Sequence, residues 1–409
     1  MQVNGIIAEY NPFHNGHRYL LTEALSRTGA DYTIVVMSGD FVQRGAPALL
    51  DKHRRAEMAL RCGADLVLEL PVLYAASSAE YFASGAVALL DRLGVVTHLS
   101  FGSECGDTGL LQQIAEILVR EPPEYTATLK RLLQQGLSYP LARTKALLQH
   151  YPFLDSHREV FSSPNNILGI EYIKALLRRN SAIVPLALLR KGSGYHDRQT
   201  VGSYCSALAI RQALCSGHTP PALSQLMPEE AAKMLLDFLS CRSPVRANDF
   251  SGLLHYKLVL EEAEGYQRYL DVSRDLSDRI RNRLPEYVCF EDFCNLLKTK
   301  ELTYTRISRC LLHILLNLTK DDMTLGQSLD NAAYARVLGF RRSAAPLLSA
   351  IDRSSSIPLV TKLADAGQIL SSEALQLLNR DILAAKIYQT VAGNGRPPIN
   401  EYTVPLSIL

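Results

Sequence analysis

The 409-residue chain has no tryptophan, no Cys-x-x-Cys pair and no long hydrophobic run. Its apolar stretches, such as Ile34–Met37, fall far short of the roughly 18–20 residues that a membrane helix needs, so no membrane association is expected. The start, Met1-Gln2-Val3-Asn4-Gly5, carries no basic stretch and no cleavage site, which predicts a cytoplasmic protein. The eight cysteines are scattered, and the closest spacing, Cys289 to Cys294, suits neither a zinc knuckle nor a redox motif. No side-chain metal centre and no disulfide framework are therefore expected. Internal repeats and low-complexity tracts are also missing, and nothing marks an obligate protein partner. The excess of one charge is slight, with 43 Lys and Arg against 41 Asp and Glu, so any nucleic-acid role must rest on a local patch. What the chain does have is 47% hydrophobic and 21% charged residues, a folded composition that excludes wholesale disorder. Its length exceeds the usual single domain of roughly 100–200 residues, which predicts at least two.

Residues 1–220 alternate between two patterns. Val3–Glu9, Tyr32–Ser38, Asp65–Leu70, Val95–Phe101 and Ala182–Leu189 are short, nearly continuous apolar runs, as strands buried on both faces require. Pro185 assigns the last of them to a sheet edge. Between them, Gly16–Ser26, Lys52–Cys62, Ser78–Leu93 and Gly109–Val119 have helical spacing. The alternation predicts an α/β fold with a Rossmann-like parallel sheet, whose ligand lies beyond the carboxyl ends of the strands. Past Thr219-Pro220-Pro221 the strand signal fades. Pro228–Leu239, Phe250–Tyr269, Asp275–Arg283, Glu291–Lys298 and Tyr304–Leu316 read as helices. A helix at Ala344–Ile351, a short strand at Pro358–Thr361 and a helix at Ser372–Gln389 follow. The division expected is a catalytic domain at 1–220 and a mainly helical region at 221–409.

The most informative stretch is His14-Asn15-Gly16-His17, which leaves the first strand and opens the first helix. Unpaired N–H groups and the dipole at that helix start favour an anion. Gly16 allows close approach to the backbone, and imidazole N–H groups can stabilise charge developing on a phosphate oxygen. The plain alternative is a pair of ordinary loop histidines.

This motif resembles the HxGH signature of the nucleotidyltransferase superfamily. Ser206-Ala207-Leu208-Ala209-Ile210-Arg211, after Gly202-Ser203-Tyr204, resembles its second signature. More closely, Gly5 to His17, Met37-Ser38-Gly39-Asp40-Phe41-Val42-Gln43-Arg44-Gly45, Phe101-Gly102-Ser103-Glu104 and Ser163-Pro164-Asn165-Asn166-Ile167-Leu168-Gly169 look like the tRNA(Met) cytidine acetate ligase family. The resemblance implies an ATP-dependent ligase that makes N4-acetylcytidine at the wobble position of elongator tRNA(Met). It uses free acetate without acetyl-CoA, through an acetyl-adenylate. Mg2+ is expected with the triphosphate, held there alone or by protein side chains as well. The ATP contacts it implies fall on Ile7, Ala8, Glu9, Tyr10, Asn11, Pro12, Phe13, His14, Asn15, Gly16, His17, Leu20, Gly102, Asn166 and Arg190. The superfamily's phosphate-binding helix start adds Ser206 and Arg211.

Position adds further candidates. Lys191 follows the fifth strand beside Arg190 and suits a triphosphate. Asp40 and Arg44 follow the second strand and join His14 and His17 as candidate catalytic residues. Asp40 is equally readable as a turn or capping residue, and Asn166 as a cap. Arg54 and Arg55, in the basic run Lys52-His53-Arg54-Arg55, are candidate RNA contacts or a solvated face. Lys298, Lys300, Tyr304, Arg306 and Arg309 interleave positive charge with hydroxyls and an aromatic ring, as an RNA-phosphate face with a stacking option would; a solvated helix start is the alternative. Arg274, Arg279, Arg281 and Arg283 form a second basic cluster, and His313 reads as a core histidine. The competing functions are an adenylyltransferase acting on a small phosphorylated metabolite and a non-catalytic RNA-binding protein with a vestigial nucleotide pocket.

Overall fold

The computed structural model describes residues 1–191, 206–215, 223–393 and 398–409. Each continuous apolar run forms a strand whose alternate residues enter different cores. In Val3–Ala8 (β1), Val3 and Ile7 face one core while Ile6 faces the other. In Tyr32–Ser38 (β2), Ile34 and Val36 oppose Val35 and Met37 in the same way. This two-sided burial is why no polar alternation marks these strands. A small hairpin, Phe41–Val42 (β3) and Ala46–Pro47 (β4), follows β2. The sheet continues with Leu66–Leu70 (β5), His98–Ser103 (β6) and Val184–Leu189 (β7). Among the described residues β7 pairs only with β6, with Pro185 opposite Leu99, so the proline sits at an edge of the described sheet.

Ala335–Phe340 (β8), Leu359–Val360 (β9) and Ser407–Ile408 (β10) complete the sheet, in the order β10-β8-β5-β2-β1-β6-β7 with β9 on β8. The five strands that residues 1–220 give to this sheet, β1, β2, β5, β6 and β7, are parallel, whereas β8 runs antiparallel to β5. The 1–220 and 221–409 division therefore does not follow the sheet, because the late segment supplies three of its strands. Arg336 and Gly339 disguise β8 in the sequence. Gly339 is needed because a Cβ there would meet Ser407 O at 2.5 Å. The buried Arg336 charge is balanced by Glu69 at 2.9 Å and by Glu401. Lys52 Nζ bridges the same two carboxylates, at 2.8 and 2.9 Å, which ties residue 401 into the centre of the fold. Such charges tolerate burial only because they are paired.

The helices Asn15–Thr28 (α1) and Lys52–Arg61 (α2) cross over between strands. The helices expected from 228 onward are present as Glu229–Leu239, Ser251–Leu260, Arg274–Arg283, Phe290–Leu297 and Tyr304–Leu315. The expected Phe250–Tyr269 helix stops at Leu260. Beyond it Gly265 takes a positive φ of 74° and Tyr266 turns back, its hydroxyl donating to Leu258 O at 2.6 Å. The last four of these helices share a third core with Phe41, Val72 and Tyr388, so the hairpin after β2 is sewn into the helical part, whereas Glu229–Leu239 packs into the core of Ile6 and Val35. His313 is a core histidine as read, its ring nitrogens 2.8 and 2.9 Å from Leu270 O and Ala76 O. The second basic cluster is partly structural: Arg279 Nε donates to Leu297 O at 2.8 Å, closing the helix that ends there. Among the described residues, no helix is long and apolar enough to cross a membrane. The linker residues Thr219, Pro220 and Pro221 lie outside the described residues.

Candidate active site

β1 is flanked by β2 on one side and β6 on the other, so the strand order reverses beside it. In an open parallel sheet that is where loops diverge and leave a crevice. A cleft of about 340 Å³ lies there, beyond the carboxyl ends of β1, β2, β6 and β7.

The histidine pair is fixed by its own backbone. His14 is the N-cap of α1, and its Nδ1 accepts from Gly16 N at 3.0 Å. His17 Nδ1 accepts from His14 N at 3.2 Å. With both Nδ1 atoms accepting, each neutral ring carries its proton on Nε2, the one nitrogen left to donate. The rings stack with centroids 3.7 Å apart. Burial, and then the Arg190 and Arg211 charges, lower the His14 pKa to about 3. Burial, His14 and Arg190 push His17 well below the usual imidazole range. Both are therefore neutral N–H donors at physiological pH, beside a helix start that favours negative charge. Gly16 has a sharper role than backbone access, since a Cβ there would lie 2.8 Å from His14 Cε1. The missing side chain makes room for the capping ring.

Positive charge surrounds the pair. Arg190 leaves the end of β7, and its stem passes so close to Gly102 that a Cβ there would sit 3.3 Å from Arg190 Cγ. Lys191 Nζ lies 4.4 Å above the Tyr19 ring. Ser206 caps the Ala207–Cys215 helix, its Oγ accepting from Ala209 N at 3.1 Å. Arg211, one turn in, donates to Asn11 O at 2.6 Å and lines the cleft beside Ser206. Gly202, Ser203 and Tyr204 lie outside the described residues. Among the described residues, Arg44, Arg190, Lys191 and Arg211 face one lining carboxylate, Glu9, which accepts from Gln43 N at 3.0 Å. That balance suits a polyphosphate. Much of the remaining lining is apolar, with Phe82, Phe101, Ile167, Leu168, Tyr172 and Leu188, and can enclose a flat base.

The cleft thus gathers Ile7, Ala8, Glu9, Tyr10, Asn11, His14, Gly16, His17, Leu20, Arg44, Gly102, Arg190, Lys191, Ser206 and Arg211 of the residues expected from sequence. Others stand behind it. Phe13 is fully buried with its ring 5.5 Å from that of His17, Pro12 follows a cis peptide, and Asn15 Nδ2 donates to Gln225 O at 2.7 Å. Asn166 is buried and does not line the cleft. Its Oδ1 accepts from Ser103 Oγ at 2.7 Å and Glu104 N at 2.9 Å, joining the end of β6 to the Pro164–Arg179 helix. The neighbouring Asn165 lines the cleft instead.

Asp40 is also behind the wall. Its Oδ1 accepts from Lys52 N at 2.8 Å at the start of α2, and burial raises its pKa to about 6 against the pull of Lys52. It has the capping role rather than a place in the cleft. Arg55 is fully buried and donates only to backbone carbonyls: Leu50 at 2.9 Å, Glu9 at 2.6 Å, Ser38 at 3.0 Å, and Gly39. It staples the ends of β1 and β2 together and is not an RNA contact. Arg54 reaches Asp51 at 3.1 Å and stays partly exposed. Of the expected RNA face, Lys298, Lys300 and Arg306 are exposed, whereas Tyr304 and Arg309 are half-buried, Tyr304 against the helical core.

Sequence reasoning missed Tyr19, Gln43, Phe101 and Tyr172 in the lining. Gln43 and Phe101 directly adjoin residues that were identified, and Tyr19 falls one helical turn after Gly16, so strand and helix spacing around the motif held the signal.

Comparison with known proteins agrees with this geometry. A family model described as HIGH Nucleotidyl Transferase matches residues 1–400. The chain is 41% identical over 392 residues to the tRNA(Met) cytidine acetate ligase of Acetivibrio thermocellus, covering 95% of this chain and 94% of that one. It is 40% identical over 401 residues to the protein of the same name from Halothermothrix orenii, with the same coverage. The crystal structure of Thermotoga maritima TmcAL bound with alpha-thio ATP superposes with a TM-score of 0.92 at 32% identity, covering all of both chains, and the apo form with 0.94. The chain belongs to the HIGH nucleotidyltransferases and, within them, to the tRNA(Met) cytidine acetate ligase family.

Proposed function

We propose that this protein is an ATP-dependent ligase that acetylates the N4 amine of the wobble cytidine in elongator tRNA(Met), using free acetate. The observation that carries the reading is the His14 and His17 pair, held as neutral Nε2–H donors at the start of α1 between Arg190 and Arg211. In the first step an acetate oxygen forms a bond to the α-phosphorus of ATP. The bond from that phosphorus to its bridging oxygen breaks, and pyrophosphate leaves with the electron pair. In the second step the cytidine amine attacks the acetyl carbonyl, AMP departs with the acyl–oxygen electron pair, and the amine releases a proton to solvent.

The protein contributes positioning and charge stabilisation, as is usual in phosphoryl transfer. The two Nε2–H groups meet the α-phosphate oxygens as charge builds. Arg190, Lys191 and Arg211 take the leaving pyrophosphate, and the Ser206 helix start adds its N–H groups. Adenine fits the Phe101, Leu168 and Leu188 wall beside Gly102. Glu9, the lining carboxylate among the described residues, would be the side chain to meet a Mg2+ ion brought in with the triphosphate, where the ion would neutralise phosphate charge. Lys298, Lys300 and Arg306 supply exposed charge for tRNA phosphates, and substrates of this kind go with a cytoplasmic setting.

Acetate-dependent exchange of labelled pyrophosphate into ATP tests the first step. His14→Ala and His17→Ala should each slow exchange by about 10²–10³-fold, the usual cost of losing one donor to a developing charge. Near-normal exchange in both variants would remove the pair from the mechanism. Exchange driven by a phosphorylated metabolite instead of acetate would favour the small-molecule adenylyltransferase.

A further inference from the structure

The cleft's cations are divided between two sides. Arg190, Lys191 and Arg211 follow β7 or lie on the helix after it, whereas Arg44 follows β2. In the order β2-β1-β6-β7, the ends of β2 and β7 are three strand spacings apart, about 14 Å, with the histidine pair beyond β1 between them. Displacement at phosphorus needs the attacking and leaving oxygens in line. With pyrophosphate drawn toward the triply cationic β7 side, the nucleophile must enter from the β2 side. The polar lining residues after β2 are Gln43 and Arg44.

The turn that carries Arg44 is held from both sides. Gln43 N donates to the Glu9 carboxylate at 3.0 Å, and Gly45 N closes the turn on Val42 O at 2.9 Å. Ser308 Oγ donates to Gly45 O at 2.8 Å from the Tyr304–Leu315 helix. Gly45 has a φ of 74°, and a Cβ there would lie 2.4 Å from Arg309 N, so only glycine fits. Hairpin tips are ordinarily mobile; this one is clamped between a cleft carboxylate and the backbone of a helix from the other half of the chain.

We propose that Arg44 binds the acetate carboxylate and presents it for in-line attack on the α-phosphorus. The inference rests on the acetate-activating reading above. A planar guanidinium on a fixed turn matches a carboxylate with two parallel donors, one oxygen being held while the other forms the bond to phosphorus.

The test is steady-state pyrophosphate exchange at varied acetate and varied ATP, with thermal unfolding as the fold control, for Arg44→Ala, Arg44→Lys and wild type. Arg44→Ala should raise the acetate KM by about 10–100-fold, the range for a lost charge-assisted pair. Arg44→Lys should raise it less and stays measurable if the alanine variant is too slow to read. The ATP KM should stay within about twofold in Arg44→Lys. An unchanged acetate KM in both variants would overturn the assignment. So would a parallel rise in ATP KM, which would move Arg44 to the phosphate side. Intact exchange with loss only of tRNA acetylation would make Arg44 an RNA contact. A wild-type enzyme lacking acetate-dependent exchange would refute the proposed function itself and is read separately.

Discussion

Gly16→Ala separates catalytic geometry from folding. A Cβ at this position would stand 2.8 Å from His14 Cε1 and 3.1 Å from His14 Nδ1. Carbon atoms settle at about 3.5–4.0 Å, so the imidazole must retreat by about 0.7–1.2 Å. The ring cannot do so while keeping its 3.0 Å bond to Gly16 N and its stacking on His17 at 3.7 Å. Weakening that cap costs about 1 kcal/mol. Replacing a glycine inside the first helical turn by alanine returns about 0.5–1 kcal/mol. Stability should therefore stay within about 1 kcal/mol of wild type. Displacing a catalytic donor by roughly 1 Å, however, costs about 10²-fold in rate. The assays are pyrophosphate exchange at saturating ATP and acetate, and urea unfolding of the same preparations. Exchange within threefold of wild type would refute the claim that the His14 position, rather than its mere presence, drives the chemistry.

Arg55→Lys, with three donors on one nitrogen for the four carbonyls at Leu50, Glu9, Ser38 and Gly39, should leave at least one without a donor and cost at least about 1–3 kcal/mol in denaturant unfolding, with no change in the salt dependence of tRNA binding. A stable variant with weakened tRNA binding would restore Arg55 to the RNA face. The pH dependence follows from His14, whose pKa is about 3 in the fold against 6.5 in a free chain. Above pH 6.5 neither state binds the proton; as pH falls below 6.5 the unfolded chain takes it up and the fold does not, so stability declines by up to about 1.4 kcal/mol per pH unit. His14→Asn can still cap α1, and between pH 7 and 5 it should lose about 2 kcal/mol less than wild type; equal losses would mean that His14 titrates normally. Lys300→Ala with Arg306→Ala should leave pyrophosphate exchange intact while flattening the log–log salt dependence of tRNA binding by up to about two units. An unchanged slope would put the tRNA on another surface.

The sheet between β1 and β7 is legible because both faces are buried, which makes each run apolar throughout and places its following loop at one edge. The histidine motif is legible because it spends two imidazoles and a glycine at the one position where a helix start meets the cleft. β8 escaped because Arg336 and Gly339 interrupt its apolar run: the Arg336 charge is cancelled by Glu69 and Glu401, residues more than 60 positions away in either direction. Arg55 was misread for a similar reason. A run of four basic residues looks like a solvated face, yet Lys52, Arg55, Ala56 and Ala59 all fall on the buried side of α2, at spacings of three, four and seven. That spacing was readable; the backbone carbonyls that compensate the charge were not. Asp40 shows the same limit, since its partner, the amide of Lys52, is fixed by how the hairpin folds back and not by local sequence.

The central claim is that free acetate, activated by ATP in the cleft of His14 and His17, ends on a tRNA cytidine. The direct measurement is mass spectrometry of nucleosides from elongator tRNA(Met) after incubation with the protein, ATP and isotopically labelled acetate, with no coenzyme A present. The account predicts N4-acetylcytidine carrying the label at the wobble position, with one AMP and one pyrophosphate formed per acetyl group. Unlabelled tRNA under conditions that support acetate-dependent exchange, or acetylation that requires acetyl-CoA, would contradict it.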